Sequence, residues 1–121
     1  MNIKMPLLVG LLTLTPSLAA QNAFLTPAQL RQALTHKTFV FINVHVPYEG
    51  KIAGTDLMIP FDRIGQSSQL PQDRKTNIVL YCRSGTMSAE ARQTLNSLGY
   101  RNVRELQGGF NAWKAAGYAL K

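Results

Sequence analysis

The sequence contains one cysteine, Cys82, and its surroundings are those of a reactive thiol. Residues 77–81 (Asn-Ile-Val-Leu-Tyr) form an apolar, β-branched pattern that predicts a buried strand. Residues 89–98 predict a helix, so the thiol lies where a strand turns sharply into a helix N-terminus. Main-chain N–H groups at such a turn have no helical partner and converge on whatever occupies it. This setting favours the thiolate, which is the reactive form of cysteine.

The residues that follow the thiol, 83–88, read Arg-Ser-Gly-Thr-Met-Ser, and their amides can wrap around an anionic sulfur. Gly85 permits a tight turn with positive φ that aims these amides inward. The hydroxyls of Thr86 and Ser88 are expected hydrogen-bond donors, and Ser88 is an expected helix N-cap. Arg83 either binds an anionic donor or is a solvated charge. The alternative for the thiol itself is an inert core position. Because no second cysteine exists, dithiol redox chemistry within one chain is excluded.

The first twenty residues have the layout of a secretory signal peptide. A short basic start with Lys4 precedes an apolar run over residues 7–14, and small residues end the segment at Ala19 and Ala20. We expect cleavage after one of these two alanines, which leaves a single domain over residues 21–121 in the periplasm or another exported location. The alternative is a buried N-terminal helix. No later apolar run approaches the ~18 residues of a membrane span, so no stable membrane insertion is expected after cleavage.

The chain is basic, with a formal net charge of +7, but its basic residues are scattered along the sequence. Nucleic acid is excluded as a partner by the predicted export, and a solvated surface is the favoured explanation. No His, Cys, Asp or Glu residues have metal-ligand spacing, and no phosphate-binding glycine motif is present. The sequence therefore predicts neither a metal nor another cofactor, and it carries no signal for an oligomeric state.

Strands and helices alternate along the rest of the chain. Thr26 and Pro27 begin a helix that runs to Leu34, and residues 39–44 read as a strand buried on both faces. Further patterns predict a brief strand at 57–59, a short helix at 61–66, a strand at 102–106 and a helix at 110–116 with Trp113 inward; His36 is expected at the surface. This alternation predicts an α/β domain with a largely parallel central sheet. Sites in such sheets form at the carboxyl ends of the strands, which brings residues 45–49 near the thiol.

Four segments together resemble the rhodanese-like sulfurtransferase family, in its small exported form represented by the phage shock protein E group. Residues 41–49 (Phe-Ile-Asn-Val-His-Val-Pro-Tyr-Glu) are similar to the first core strand, and residues 52–60 to the stretch that leads to Ile-Pro. Residues 78–88 are similar to the active-site strand and loop, and residues 106–118 to the Gly-Gly, Trp and Ala-Gly-Tyr signature.

The resemblance implies a three-layer rhodanese-like domain in which sulfane sulfur passes through a persulfide on Cys82. The implied donor is a small sulfur-containing anion such as thiosulfate or a persulfide, and the implied acceptor is cyanide or a thiol. The implied substrate-binding residues are those of the loop: Arg83, Ser84, Gly85, Thr86, Met87 and Ser88. Possible supporting residues lie after the first core strand: Asn43, His45 and Glu49.

The chain departs from the family pattern at several positions. Asn43 stands where the family usually has Asp, His45 where it usually has Arg, and Met87 where the loop often ends in Arg. Gly54 is followed by Thr-Asp-Leu and lacks the usual Gly-His-Ile context. His45 is either a general base or anion donor, or a hydrogen-bonded structural histidine. Glu49 is expected to anchor a loop or pair with a basic residue.

Three other functions stay open. A cysteine phosphatase or arsenate reductase needs a loop one residue longer that ends in an oxyanion-clamping Arg, and Ser88 stands at that position. A non-catalytic rhodanese-like binding module is compatible with the missing loop-closing Arg. A thiol sensor is compatible with a single reactive cysteine.

Overall fold

The computed structural model describes residues 23–121, which contain a five-stranded sheet and three helices. The predicted signal peptide, residues 1–20, lies outside the described residues. The strands are β1 (Phe24–Leu25), β2 (Val40–Asn43), β3 (Leu57–Met58), β4 (Ile78–Tyr81) and β5 (Val103–Leu106). The helices are α1 (Pro27–Leu34), α2 (Thr86–Ser97) and α3 (Gly109–Ala115), with a short 3₁₀ turn at Ile64–Gln66.

The strand order is β1-β5-β4-β2-β3, and every neighbouring pair is parallel. The predicted parallel α/β fold is therefore confirmed. Strand β1 was not predicted, because its two residues have no periodicity of their own and pair only with β5. No helix within residues 23–121 is long and apolar enough to cross a bilayer.

Two apolar clusters cover the two faces of the sheet. Strand β4 contributes to both, because its side chains alternate between the faces. Ile78 and Leu80 pack with Leu95 of α2, whereas Val79 and Tyr81 pack in the cluster with α1 and α3. Helices on both faces give the three layers that the family resemblance implies. In agreement with prediction, the core includes Trp113 and the exposed residues include His36.

Helix α1 begins where the sequence predicts it, because its cap is local. The Thr26 hydroxyl accepts a hydrogen bond from the amide of Gln29 at 3.1 Å, and the Gln29 side chain accepts one from the amide of Thr26 at 2.9 Å. This reciprocal capping box satisfies two amides that the helix itself leaves unpaired.

Candidate active site

The carboxyl ends of β2 and β4 lie side by side, and both strands run directly into the candidate site. Asn43 at the end of β2 is paired in register with Tyr81 at the end of β4. The amide of Val44 then donates to the carbonyl of Tyr81 at 2.8 Å, which carries the pairing one residue further. Cys82 and the start of the segment after β2 are thus brought to one edge, as the strand pattern predicts.

The thiol of Cys82 lies at the floor of the turn between β4 and α2, with 2% of the residue exposed. Its Sγ accepts hydrogen bonds from the amide of Gly85 at 3.1 Å and from the amide of Ser88 at 3.4 Å. The Ser88 hydroxyl lies 3.6 Å from the same sulfur. Main-chain donors that point at a sulfur stabilise negative charge on it, and the N-terminus of α2 adds partial positive charge.

Further amides of the loop remain available. Within residues 23–121, no acceptor is hydrogen-bonded to the amides of Ser84, Thr86 or Met87. Gly85 has a φ of 120°, a conformation that side chains with a Cβ rarely adopt, and this positive φ confirms its predicted role in the turn. Two amides of the loop therefore hold the thiol sulfur, and the amides of Ser84, Thr86 and Met87 are left without an acceptor in the described part of the chain.

The side chains of the loop divide by exposure. Arg83, Ser84 and Thr86 are exposed, with 54% of the Arg83 side chain accessible. Met87 is half-buried and packs against the apolar cluster that contains Leu95. These positions place Arg83 at the mouth of the site, while Met87 contributes to the core beneath it.

Ser88 is fully buried, and the prediction that it caps the helix is wrong. Helix α2 begins at Thr86 with Gly85 as N-cap, so Ser88 occupies the first helical turn. Its hydroxyl donates to the carboxylate of Glu105 at 2.7 Å and also lies 3.2 Å from the carbonyl of Gly85. The helix starts earlier than the sequence predicts because the glycine turn already supplies the required change of direction.

Helix α3 holds the opposite side of the cysteine loop. The amide of Phe110 donates to the carbonyl of Cys82 at 2.9 Å, and the amide of Asn111 donates to the carbonyl of Arg83 at 3.0 Å. This approach requires glycine at position 109, where φ is 60° and a Cβ would lie 2.4 Å from both carbonyl oxygens. Gly109 is therefore a structural requirement of the site.

The segment after β2 is held by side-chain hydrogen bonds. The Asn43 side chain accepts from the amide of His45 at 2.9 Å and donates to the carbonyl of Gly50 at 3.1 Å. An ionised aspartate could make the first bond but not the second. Asn43 thus supports the segment structurally, and its difference from the usual Asp has a local reason.

Glu49 connects this segment to the cysteine loop. One carboxylate oxygen lies 3.6 Å from Nη1 of Arg83, and the other lies 3.5 Å from Nε2 of His45. The expectation that Glu49 pairs with a basic residue is confirmed. The pair with Arg83 is partly exposed, so its contribution to stability is small, but it fixes a negative charge near the mouth of the site.

His45 is buried, and its ring contacts Phe110 edge-on with centroids 5.4 Å apart. Neither ring nitrogen has a hydrogen-bond partner among residues 23–121. The alternative of a hydrogen-bonded structural histidine is therefore wrong. The Glu49 carboxylate lies 3.5 Å from Nε2 of the ring, beyond the range of a well-formed hydrogen bond.

Tyr81 ties the two segments together directly before Cys82. Its hydroxyl accepts from the amide of Ile52 at 3.0 Å and lies 2.7 Å from the hydroxyl of Thr55. Burial raises the pKa of the Tyr81 phenol above its ordinary value of 10.0, and the hydrogen bonds with Thr55 and Ile52 partly offset this effect. Tyr81 is neutral near pH 7 and acts as a structural cross-link.

Sequence reasoning missed Glu105, whose side chain is 1% exposed behind the cysteine loop. Its two oxygens bind Ser88 and the Arg92 guanidinium, the latter at 2.6 Å from Nε. A single acidic residue within a short strand pattern gives no signal of burial, and only the tertiary position of Arg92 could have revealed it. In residues 23–121, no cluster of three or more His, Cys, Asp or Glu side chains is arranged to hold a metal ion.

A nucleophilic sulfur below a cradle of amides, beside an exposed guanidinium, can bind an anion and accept an atom from it. The family model of the rhodanese-like domain matches residues 26–116 of this chain. The chain belongs to the rhodanese-like domain family.

Particular relatives extend the comparison. The chain is 35% identical over 98 residues to the uncharacterized protein slr1261 of Synechocystis sp., covering 79% of this chain and 54% of that protein. It is 37% identical over 101 residues to the probable adenylyltransferase/sulfurtransferase MoeZ of Mycobacterium tuberculosis, covering 78% of this chain and 25% of MoeZ. The chain thus spans about half of the first relative and a quarter of the second.

Among solved structures, the fold is similar to a rhodanese-related protein from Thermoplasma volcanium, with a TM-score of 0.67 and 26% identity. That match covers 80% of this chain and 95% of the other. It agrees with the architecture of parallel strands and flanking helices described above.

Proposed function

We propose that this protein is a sulfurtransferase that moves sulfane sulfur from an anionic donor to a thiophilic acceptor through a persulfide on Cys82. The observation that carries the proposal is the geometry at Sγ. Two amides donate to this sulfur, and the amides of Ser84, Thr86 and Met87 have no acceptor within residues 23–121, which supports their use in binding an outer sulfur atom. The name of the relative MoeZ, which includes sulfurtransferase, supports the same class of reaction.

The first half-reaction takes sulfur from the donor. The Cys82 thiolate attacks the outer sulfur of thiosulfate, an Sγ–S bond forms, and the S–S bond of the donor breaks. Sulfite leaves with the electron pair of the broken bond, and the persulfide keeps one negative charge. The loop amides and the dipole of α2 stabilise this charge on the outer sulfur. Arg83 at the mouth attracts the incoming anion and has room to move, since its side chain is half-exposed.

The second half-reaction returns the enzyme to its starting state. Cyanide or a thiolate attacks the outer sulfur, a new bond to that sulfur forms, and the Sγ–S bond breaks. The electron pair of the broken bond stays on Sγ, which regenerates the Cys82 thiolate. The products are thiocyanate or a new persulfide on the acceptor. No external oxidant or reductant is consumed.

The direct test is intact-mass spectrometry after incubation with thiosulfate. We expect the chain to gain the mass of one sulfur atom, and cyanide to remove this atom as thiocyanate. Cys82→Ser is the matched control, because it keeps a small polar side chain but removes the sulfur, and it should show neither reaction. Equal turnover by Cys82→Ser would end the proposal.

The other functions make different predictions in the same assay. A binding module without turnover would gain no sulfur from thiosulfate or from small-molecule persulfides. A thiol sensor would form a stable persulfide that neither cyanide nor thiols remove. A phosphatase would hydrolyse an aryl phosphate and leave the mass of Cys82 unchanged.

We also propose that the protein works in the periplasm or another exported compartment, on the basis of the N-terminal sequence pattern. Determination of the N-terminus of the protein recovered from the periplasmic fraction tests this. Cleavage after Ala19 or Ala20 is the expected result, and recovery of the full-length chain from the cytoplasm would contradict it.

A further inference from the structure

Glu105 is a buried carboxylate placed directly behind the reactive sulfur. An ionised carboxylate is costly to bury unless it is paired and hydrogen-bonded. Here one oxygen accepts from Nε of Arg92 at 2.6 Å, and the other accepts from the Ser88 hydroxyl at 2.7 Å. Arg92 is held on a second side, since its guanidinium lies 5.4 Å from the ring centroid of Phe24 on β1. The ion pair with Arg92 therefore uses one oxygen of Glu105, and the other oxygen is directed at Ser88 in the loop.

The Ser88 hydroxyl has one proton and three candidate acceptors, which are the Glu105 carboxylate, the Gly85 carbonyl and Sγ of Cys82. The carboxylate of Glu105 is charged and lies at 2.7 Å, whereas the carbonyl of Gly85 is neutral and lies at 3.2 Å. Hydrogen bonds to a charged acceptor are shorter and stronger, so the proton goes to Glu105. The hydroxyl then presents its lone pairs to Sγ of Cys82, 3.6 Å away. Ser88 therefore presents two groups to the sulfur: its hydroxyl oxygen can accept a hydrogen bond, and its main-chain amide donates one.

We infer that Glu105, held by Arg92, is a positioning residue that keeps the Ser88 hydroxyl as a hydrogen-bond acceptor for the resting thiol of Cys82. The inference rests on the proposed function and adds a group that regulates how readily the Cys82 thiol becomes a thiolate. While Cys82 is protonated, before it forms the thiolate that attacks the donor, its S–H group donates to Ser88, and this bond opposes the loop amides that favour the thiolate. Once Sγ carries a second sulfur it has no proton to donate, and only the amides hold it. The loop therefore binds the persulfide by its amides alone.

Direct proton transfer through Ser88 to Glu105 is a less favourable use of the same atoms. A carboxylate is a much weaker base than a thiolate, and the Arg92 guanidinium stabilises the carboxylate further. Orientation of the hydroxyl needs no proton to move. The charged and titratable side chains placed around the loop among residues 23–121 include Tyr81, Arg83, His45, Glu49, Glu105 and Arg92. Of these, within residues 23–121, Glu105 and Arg92 reach Sγ through hydrogen bonds by way of Ser88.

The test uses Glu105→Gln, which keeps the shape of the side chain and removes its charge. The amide of glutamine can donate to Oγ of Ser88, which frees the hydroxyl proton for the sulfur. We expect alkylation of Cys82 by iodoacetamide to become about three- to tenfold faster on the acidic side of its pH profile, the effect of one hydrogen bond. The midpoint of the pH profile of sulfur transfer from thiosulfate should move to lower pH, and the proton concentration at the midpoint should rise by a similar factor.

Ser88→Ala decides whether Glu105 acts through the hydroxyl. In the Ser88→Ala background, Glu105→Gln should leave the pH profile of alkylation unchanged, so the two substitutions should be non-additive. An equal shift in both backgrounds would overturn the inference. Alkylation reports on the thiol whether or not sulfur is transferred, so this result stands apart from the failure of the proposed function.

A purely structural role for Glu105 predicts a different outcome. Glu105→Gln would then lower the midpoint of urea unfolding and leave the pH profile in place, which would overturn the inference. Asp56→Asn is the matched control, because Asp56 is bonded to Lys37 and to the amide of Phe41, and its loss should affect stability but not the profile.

Should Glu105→Gln fail to fold, the double variant Glu105→Gln/Arg92→Gln replaces the ion pair by two neutral side chains of similar shape. The same acidic shift of the alkylation profile is expected for this variant. A profile identical to that of the unsubstituted chain would overturn the inference.

Discussion

The segments that follow β4 and β2 meet at one edge of the sheet, but they are held in different ways. The cysteine loop is fixed by main-chain hydrogen bonds, from its own amides to Sγ and from α3 to the carbonyls of Cys82 and Arg83. Beyond the bond of the Val44 amide to Tyr81, the segment after β2 is held by side chains, through Asn43 and Glu49, and it buries a histidine whose ring has no hydrogen-bond partner within residues 23–121. The comparison suggests that peptide groups set the position of the reactive sulfur, whereas side chains adjust the charge at its mouth.

Gly109→Ala tests the main-chain side of this comparison and should have the largest effect. The added Cβ would lie 2.4 Å from the carbonyl oxygens of Cys82 and Arg83, in a residue with φ of 60°. We expect a loss of at least about 2 kcal/mol in the free energy of unfolding, measured in urea, and a loss of sulfur transfer. Gly117→Ala is the control, because its φ is also positive but no atom lies within 4 Å of the added Cβ. Equal losses in the two variants would contradict the role of close packing.

Tyr81→Phe removes the side-chain cross-link between the two segments. The variant leaves the amide of Ile52 without its acceptor, which should cost about 1–3 kcal/mol in unfolding experiments at pH 7.

The raised pKa of Tyr81 also makes the stability of the unsubstituted chain depend on pH. The unfolded phenol ionises first, so the stabilisation is complete below pH 10 and is lost as the pH rises through the folded pKa. Tyr81→Phe should lack this part of the alkaline loss, whereas Tyr48→Phe should retain most of it, because the exposed Tyr48 adds only a minor Coulombic part to the raised pKa of Tyr81. The same alkaline slope in both variants would refute the prediction.

Met87→Arg adds a side-chain charge to the loop that is otherwise built on amides. Met87 packs against the apolar cluster, so an arginine here must turn its guanidinium away from that cluster toward solvent, where it can offer two donors to an anion. We expect kcat/KM with thiosulfate to rise about tenfold, which corresponds to about 1.4 kcal/mol. Met87→Gln is the control, because it places a polar side chain without a charge at the same position. If kcat/KM stays the same in Met87→Arg, the last loop position does not govern use of the anionic donor.

Glu49→Gln should have the smallest effect, because the pair with Arg83 is partly exposed. Removing the carboxylate frees the guanidinium and takes a negative charge from the mouth, so KM for thiosulfate should fall about two- to threefold with kcat unchanged. The change should shrink at high salt, since exposed charges are screened. Steady-state kinetics at two ionic strengths provide the measurement. An increase in KM would show that Glu49 positions Arg83 productively and does not compete with the donor.

The sequence predicted the parts of the fold that rest on local signals. The Thr26 cap, the β4 pattern and the glycine turn before α2 each depend on residues close in the chain. The two-residue strand β1 was missed because it exists only through pairing with β5. The start of α2 was placed too late because a serine was taken for the cap, although the turn at Gly85 had already set the direction of the helix.

The candidate site was predictable to a similar extent. Cys82 and the convergence of the two segments followed from the strand-to-helix turn and from parallel topology. The environments of His45 and Glu105 did not, because burial of a polar side chain depends on elements far away in sequence. His45 lies against Phe110, and Glu105 meets Arg92 across the packing of β5 and α2. No spacing rule links these pairs.

The direction of the peptide groups around Cys82 has a consequence for how this loop can evolve. The carbonyls of residues 82 and 83 are engaged by α3, while the amides of residues 85 and 88 donate to the sulfur. Exposed side chains at positions 83, 84 and 86 can therefore be exchanged without dismantling the anion-binding frame. In the proposed function, single substitutions at these positions can change the preferred donor while the peptide groups that hold the sulfur stay in place.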